Sequence, residues 1–252
     1  MTAAVAERRR RVLAALLNAG GPDQPLQAVV HGARVTAVRG ERVGVCASML
    51  RGCGESGAPE AALQAGRLRT MAQWLLHDDR EAAVFGLAAL NALLPLPAGA
   101  VTDGPSVIEL IIPHAADKRV AVIGRFPFIP ALRATARQVV VLEEEPRDGE
   151  LPADAAGTVL PEADLVIMSG TTLANHTFCT LCDWCAPRAM RVMVGPSTPL
   201  SDILLDSGFD YVAGAKVTDA DGLLRGAAAG LSFRQLHQRG YLVWTTLTRR
   251  RR

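Results

Sequence analysis

The sequence has no G-x-S-x-G nucleophile turn, no P-loop and no H-E-x-x-H pair, so three common kinds of catalytic chemistry have no motif to rest on. No apolar window approaches the ~18 residues of a membrane span. The short apolar run from Val12 to Leu17 is followed by polar and Gly residues, so no secretory signal is expected. Charge of one sign is also scarce. A formal net charge of +2 does not call for a nucleic-acid or membrane partner. The arginine runs Arg8 to Arg11 and Arg249 to Arg252 read as a solvated helix start and a chain tail. The first leads into an ordinary amphipathic helix and not into a basic strip with interleaved aromatics. Five cysteines cannot all pair within one chain, and nothing signals secretion, so a reducing cytoplasm is the expected compartment.

What is present suits a folded protein. Hydrophobic residues make up 49% of the 252 and charged residues 21%, enough for a sizeable core. Residues 1–97 read as an α+β lobe. A helix is expected from about Ala4 to Ala19. Strands follow over Leu26 to Val30, Ala33 to Val38 and Arg42 to Ala47, with an antiparallel hairpin at Arg39-Gly40-Glu41. A Gly-rich loop spans Arg51 to Pro59, and helices cover about Arg67 to Leu76 and Arg80 to Leu94. Pro95, Pro97 and Gly99 stop the last helix.

Residues 98–252 form the second lobe, whose regular part runs from about Lys118 to Ala229. Apolar, β-branched runs at Arg119 to Ile123, Gln138 to Leu142, Asp164 to Met168, Arg191 to Val194 and Tyr211 to Gly214 alternate with helical stretches. Such runs, without polar alternation, indicate a mostly parallel sheet covered on both faces, a Rossmann-like α/β fold. Ligands of such sheets bind beyond the strand C-termini, where strand order reverses.

The loops at those ends carry the candidates. Gly124 opens the first, but Phe126 and Pro127 stand where G-x-G-x-x-G needs bare backbone, which argues against a classical NAD pyrophosphate site. Glu143 ends the second run roughly 20 residues past Gly124, where an acidic residue commonly meets a ribose hydroxyl; a solvated strand-end carboxylate is the plainer alternative. Ser169-Gly170 precedes Thr171 and Thr172, either of which can cap a helix with free amides behind it. Asn175 and Thr177 follow. Gly195-Pro196 sets Ser197 and Thr198 on a rigid turn, either at the rim of a site or as structure alone.

His176, Cys179, Cys182 and Cys185 recur every third residue. On a helix each such step turns the side chain by about 300°, so the four wind along a ridge and cannot converge on one ion. Cys179 and Cys182 can share one if other ligands join them, and Cys46 and Cys53 would have to reach across from the other lobe. Core packing is the first reading of the ladder, and metal, iron–sulfur or redox chemistry are the alternatives. The five histidines are scattered, and each reads as a surface or satisfied residue.

Four ordered motifs carry a resemblance. They are Gly124-Arg125-Phe126-Pro127-Phe128-Ile129, Glu143 with Pro146, Ser169 through Thr177, and Gly195-Pro196-Ser197-Thr198-Pro199-Leu200. With Phe85 to Leu94 in the first lobe, the chain from about Leu13 to about Gly230 resembles the bacterial and archaeal family labelled "putative heavy-metal chelation". The resemblance implies a small enolase-N-terminal-like domain followed by a Rossmann-like one. It also implies a small ligand in the cleft between them, a metal chelate or a heterocyclic cofactor-like molecule. Carried residue by residue, it points to Asn91, Gly124, Glu143, Thr171, Thr172, Asn175, Gly195, Ser197 and Thr198. The cysteine ladder departs from the family pattern, so a shared function does not need it.

Three functions stay open on the residues. One is a cytoplasmic binding protein of metal homeostasis, gripping a chelate through Asn91, Glu143, Asn175 and Ser197. Another is an enzyme acting on a chelator or nucleotide-like molecule, with Glu143 as acid/base or hydroxyl anchor. The third is an iron–sulfur or metal protein on Cys179, Cys182 and Cys185. A homodimer is the base-rate expectation.

Overall fold

The computed structural model describes residues 3–48, 62, 64–102, 104 and 106–249, so Cys53, the expected loop from Arg51 to Pro59 and the last three arginines lie outside it. Helix α1 (Ala3–Asn18) precedes a three-stranded antiparallel sheet of β1 (Ala28–His31), β2 (Val35–Arg39) and β3 (Val43–Ala47). Then come α2 (Leu68–Ala72), continued by a 3-10 turn over Gln73–Leu76, and α3 (Arg80–Leu93). The remaining chain gives β4 (Val101–Thr102), α4 (Val107–Ala115), β5 (Arg119–Ile123), α5 (Ile129–Thr135), β6 (Gln138–Glu143) and β7 (Leu151–Pro152). After these follow α6 (Ala156–Val159), β8 (Leu165–Ser169), α7 (Phe178–Trp184), β9 (Met190–Val194) and α8 (Asp202–Asp206). The C-terminal part is β10 (Tyr211–Val217), α9 (Ala220–Ala228), α10 (Phe233–Gln238) and β11 (Leu242–Thr248).

The large sheet has eight strands in the order β4-β11-β10-β9-β8-β5-β6-β7. From β10 to β7 every neighbouring pair is parallel. The chain builds outward from β5 through β6 to β7, then returns to the other side of β5 with β8. Strand order therefore reverses between β5 and β8.

Two differences from the sequence reading are at the far edge. The run expected over 211–214 is longer, and it pairs antiparallel with β11 from Tyr211↔Thr248 to Val217↔Leu242. The sheet thus continues past Ala229, where the regular part was expected to end. Five of the seven residues of β11 are β-branched or aromatic and suit a pleated, half-buried surface.

Alternation explains why both faces are covered. Val120, Val122, Leu165, Ile167, Val192 and Val194 enter one core with Ile111 of α4 and Leu132 of α5. Ala121, Val166, Met168 and Met193 point the other way, into a core that also holds Leu13 and Leu16 of α1 and most of α3. That second core therefore runs without a break across residue 97. The small sheet is bound twice over, because Val35, Ala37, Val43 and Val45 pack against Leu223, Ala227, Leu236 and Leu242 from the C-terminal elements.

Helix α3 is capped by Asp79, whose carboxylate accepts from the backbone N–H groups of Glu81 and Ala82 at 2.8 and 3.3 Å. Its body is an Ala- and Leu-rich segment buried nearly all round. Two glycines permit the close approach. A Cβ at Gly44 would lie 2.1 Å from the Ala88 carbonyl oxygen, and one at Gly86 would lie 2.1 Å from the Leu75 nitrogen. Among the described residues no helix is long and apolar enough to cross a membrane. Gly44→Ala is expected to lower the unfolding free energy by about 1–3 kcal/mol through overpacking. Urea denaturation checks this, and an unchanged midpoint would mean that β3 and α3 do not meet as closely as described.

Candidate functional site

The C-terminal ends of β5, β6 and β8 open into a cleft of about 1040 Å³. The reversal between β5 and β8 lies at its floor, the position where an open parallel sheet leaves a crevice. Gly124 turns there with φ of +111°, and a Cβ on it would sit 3.3 Å from the Ser169 Cβ and 3.2 Å from the Phe126 ring. A side chain would both strain the backbone and fill the floor. Phe126 stacks on Phe128 with ring centres 4.9 Å apart. Arg125 lines the cleft while bonded to Glu150, with Nε–O distances of 2.8 and 3.0 Å, and also donates to the Glu145 carbonyl. These bonds, with the Arg147 N–H, hold the Glu150 carboxyl down at about 2.

The opposite wall belongs to the first lobe. His31 and Ser48 come from the small sheet, and Asp79, Arg80 and Glu81 from the start of α3. Arg80 spans the gap to Glu144 at 2.8 Å, and Asn175 Nδ2 reaches the same carboxylate at a long 3.4 Å.

Of the expected site residues, Gly124, Glu143, Thr171, Thr172 and Asn175 line the cleft, as does His176. The local structure after β8 differs from expectation. Ser169, and not Thr171 or Thr172, is the capping residue, accepting from the Thr171 N–H ahead of a short 3-10 turn. The true helix begins only at Phe178, because Asn175 accepts from both the N–H and the hydroxyl of Thr177 and His176 adopts φ of +63°. A helix running from Asn175 is thereby excluded. The His176 ring instead donates from Nε2 to the Leu75 carbonyl at 3.1 Å and joins the two lobes.

Asn91, Gly195, Ser197 and Thr198 do not line the cleft. The Asn91 amide donates to the carbonyls of Val45 and Ser197 at 3.0 and 3.1 Å, and the Ser197 hydroxyl accepts from the Ala47 N–H at 2.8 Å. These bonds clamp β3 and α3 to the loop after β9. Thr198 packs over Gly170, where a Cβ would meet the Thr198 nitrogen at 2.6 Å. Gly195, with φ of +119°, turns the chain beside Phe126. Asn91 and Ser197 therefore position the walls, while Glu143 and Asn175 face the space between them.

The cysteine ladder lies on the wrong side of α7. Thr180, Leu181 and Trp184 face the cleft, whereas Cys179, Cys182 and Cys185 are buried in the core. Among the described residues no group of three His, Cys, Asp or Glu side chains is placed to hold an ion. Burial pushes the thiol of Cys182 up to about 12, that of Cys185 to about 11 and that of Cys179 upward as well. Cys46 is separate, buried on β3, and likewise raised to about 12 by burial.

Sequence reasoning missed His31, Ser48, Arg80 and Glu81. No motif marks them, since three elements bring them together.

These features define a two-lobed α/β protein with a ligand-sized cleft at the switch point of its large sheet. The chain belongs to the family described as "Putative heavy-metal chelation", whose model matches residues 106–245, and a companion model of the same description matches residues 14–94. Membership supports a metal-related role. An uncharacterized protein of Methanocaldococcus jannaschii is 29% identical over 142 residues, 54% of this chain and 55% of that protein. The chain thus spans about half the length of the curated relative it matches. A crystal structure of a protein with unknown function from the same family of Desulfitobacterium hafniense has a TM-score of 0.81 at 23% identity, covering 96% of this chain and 98% of that one. A second, from Pyrococcus horikoshii, has a TM-score of 0.73 at 22% identity, with coverages of 95% and 99%. At such identities the likeness shows the fold.

Thiol labelling tests the placement of the ladder. In a Cys53→Ser chain the remaining four thiols are expected to resist alkylation at pH 8 and to react together once denaturant is added. Rapid native-state labelling of Cys179 or Cys182 would contradict the buried arrangement.

Proposed function

We propose that the protein holds a small metal chelate in the cleft between its lobes, as a binding protein of metal handling in the cytoplasm. The observation that carries this reading is the character of the cleft itself. Its volume is that of a site for a small organic ligand, roughly 300–1,000 Å³, and it lies where the fold concentrates binding. Five carboxylates line it, Asp79, Glu81, Glu143, Glu144 and Asp154, against the guanidiniums of Arg80 and Arg125. Burial lowers the affinity of both cleft histidines, His31 and His176, for a proton, so they add no positive charge near pH 7. The balance favours a ligand with positive charge.

A bare ion would find too few convergent donors among the described residues. A chelate brings most of its own. Glu143, Asn175 and Thr171 supply the polar contacts for its organic part, and Phe126 and Trp184 the apolar ones. Thr177 holds the Oδ1 end of the Asn175 amide, while the weak bond to Glu144 leaves the Nδ2 end available to donate to a ligand. The four cysteines among the described residues are free, which suits a reducing compartment.

Calorimetric titration with the 1:1 maltolate complexes of Ni, Co, Cu, Zn and Fe is the test, since each is a small cationic heterocyclic chelate. Saturable one-to-one binding of at least one is expected. Thr171→Trp, which fills the cleft, is expected to weaken it at least tenfold, about 1.4 kcal/mol. The absence of saturable binding to every complex would overturn the proposal.

A further inference from the structure

His31 is 8% exposed, and its Nδ1 lies 2.7 Å from the Thr36 hydroxyl, which lies 3.0 Å from the Ser48 hydroxyl. Ser48 in turn donates to the Gly32 carbonyl at 2.7 Å. A carbonyl can only accept, so the end of this chain fixes its direction. The Ser48 proton is on Gly32, which leaves the Ser48 oxygen to accept from Thr36. The Thr36 oxygen is then free to accept from His31. Reversing the first step would leave Thr36 and Ser48 oxygen to oxygen with no proton between them. The fully satisfied arrangement thus places the ring proton on Nδ1 and an unshared pair on Nε2.

That pair faces a carboxylate. Glu81 Oε1 lies 3.9 Å from Nε2, too far for a hydrogen bond, and Nε2 has no hydrogen-bond partner among the described residues. Tilted packing against Phe85, with ring centres 5.0 Å apart, holds the ring in place. A lone pair and a carboxylate turned toward one another repel until a shared donor or cation sits between them, and in a cleft suited to a positively charged ligand a metal ion can fill that place. One ion bonded at ~2.1 Å to each would hold nitrogen and oxygen about 3.0 to 4.2 Å apart, and the observed separation falls inside that span. The outward hydroxyl chain supplies the hydrogen bond that a metal-bound imidazole makes through its other nitrogen.

We infer that His31 Nε2 and Glu81 ligate a divalent first-row transition ion at the first-lobe wall of the cleft, filling two of its positions and leaving the rest to the chelator. The inference rests on the chelate reading and deepens it: the ligand class becomes a complex of an imidazole-accepting metal with vacant sites, such as Cu, Ni, Zn or Fe. The chelator must then be of low denticity. A complex that already saturates its metal would gain nothing from these two donors.

Pulsed electron paramagnetic resonance on the copper(II)–maltolate complex reads this directly, because maltolate offers only oxygen donors and any nitrogen coupling must come from the protein. The wild-type chain is expected to show the remote-nitrogen modulation of one imidazole. His31→Gln is expected to lose it, His176→Asn to keep it, and Glu81→Gln to keep it with affinity reduced at least about tenfold. Thr36→Val, which removes the hydroxyl behind the ring, should likewise weaken binding and serves if His31→Gln fails to fold. Binding without any imidazole signal, a signal that survives His31→Gln, or unchanged affinity in Glu81→Gln with Thr36→Val would overturn the inference while leaving the cleft reading intact. Failure of the wild-type chain to bind the complex at all would overturn both.

Discussion

Ten of the fourteen residues of α3 are buried, and the site depends on where that helix is held. Its body lies in the core shared by the small sheet and one face of the large sheet. Its N-terminus emerges at the cleft rim with Asp79, Arg80 and Glu81. Burying each large apolar side chain contributes about 1.5–3 kcal/mol, whereas each hydrogen bond of the Asn91–Ser197–Ala47 clamp contributes about 0.5–1.5 kcal/mol. With Phe85, Leu87, Leu90 and Leu93 all buried, packing dominates the attachment of the lobes. The clamp supplies direction: it fixes which residues of β3 and of the loop after β9 stand opposite each other.

Because the lobes share a core, the cleft is a gap left by packing at the edges of a single body. The C-terminal helices reinforce this by covering the second face of the small sheet. The wall that carries His31 and Glu81 is therefore held against the floor that carries Gly124 and Glu143. A pre-formed site of this kind loses little conformational entropy on binding, which favours a small, rigid ligand.

Much of the large sheet was legible in the sequence because a strand buried on both faces leaves an uninterrupted apolar run, and five such runs stand between Arg119 and Gly214. Their ends were legible for the same reason, since Gly124, Glu143 and Ser169 break the pattern where each strand meets the cleft. Strand β11, which lies between the edge strand β4 and β10, was not, because it follows two helices and pairs antiparallel, outside the strand–helix alternation that defined the rest. The first-lobe wall was hidden more thoroughly. His31 and Thr36 meet only through the antiparallel register of β1 and β2, in which they are direct partners. Ser48 follows β3, and Glu81 arrives from the first turn of a helix far along the chain. Asn91 and Ser197 were recognised from motif resemblance, and they stand outside the cleft lining. Both supply polar atoms to a buried seam, and residues of that kind carry the same sequence signal as ligand contacts.

The cysteine ladder shows the reverse case, a conspicuous pattern with an ordinary cause. A step of three on the short helix α7 puts Cys179 and Cys182 against the core, where small polarizable side chains fill space in the cluster that also holds Leu160 and Phe209. The less conspicuous residues between them, Thr180, Leu181 and Trp184, are the ones that meet the cleft.

The central claim is that the switch-point cleft between the two walls is the ligand site. A crystal structure of the protein grown with a copper–maltolate complex, with anomalous scattering used to locate the metal, tests it most directly. The account predicts a single strong peak within bonding distance of His31 Nε2, with the chelator lying toward Glu143 and the Gly124 turn. A fully occupied metal peak elsewhere, with the cleft filled only by solvent, would contradict it.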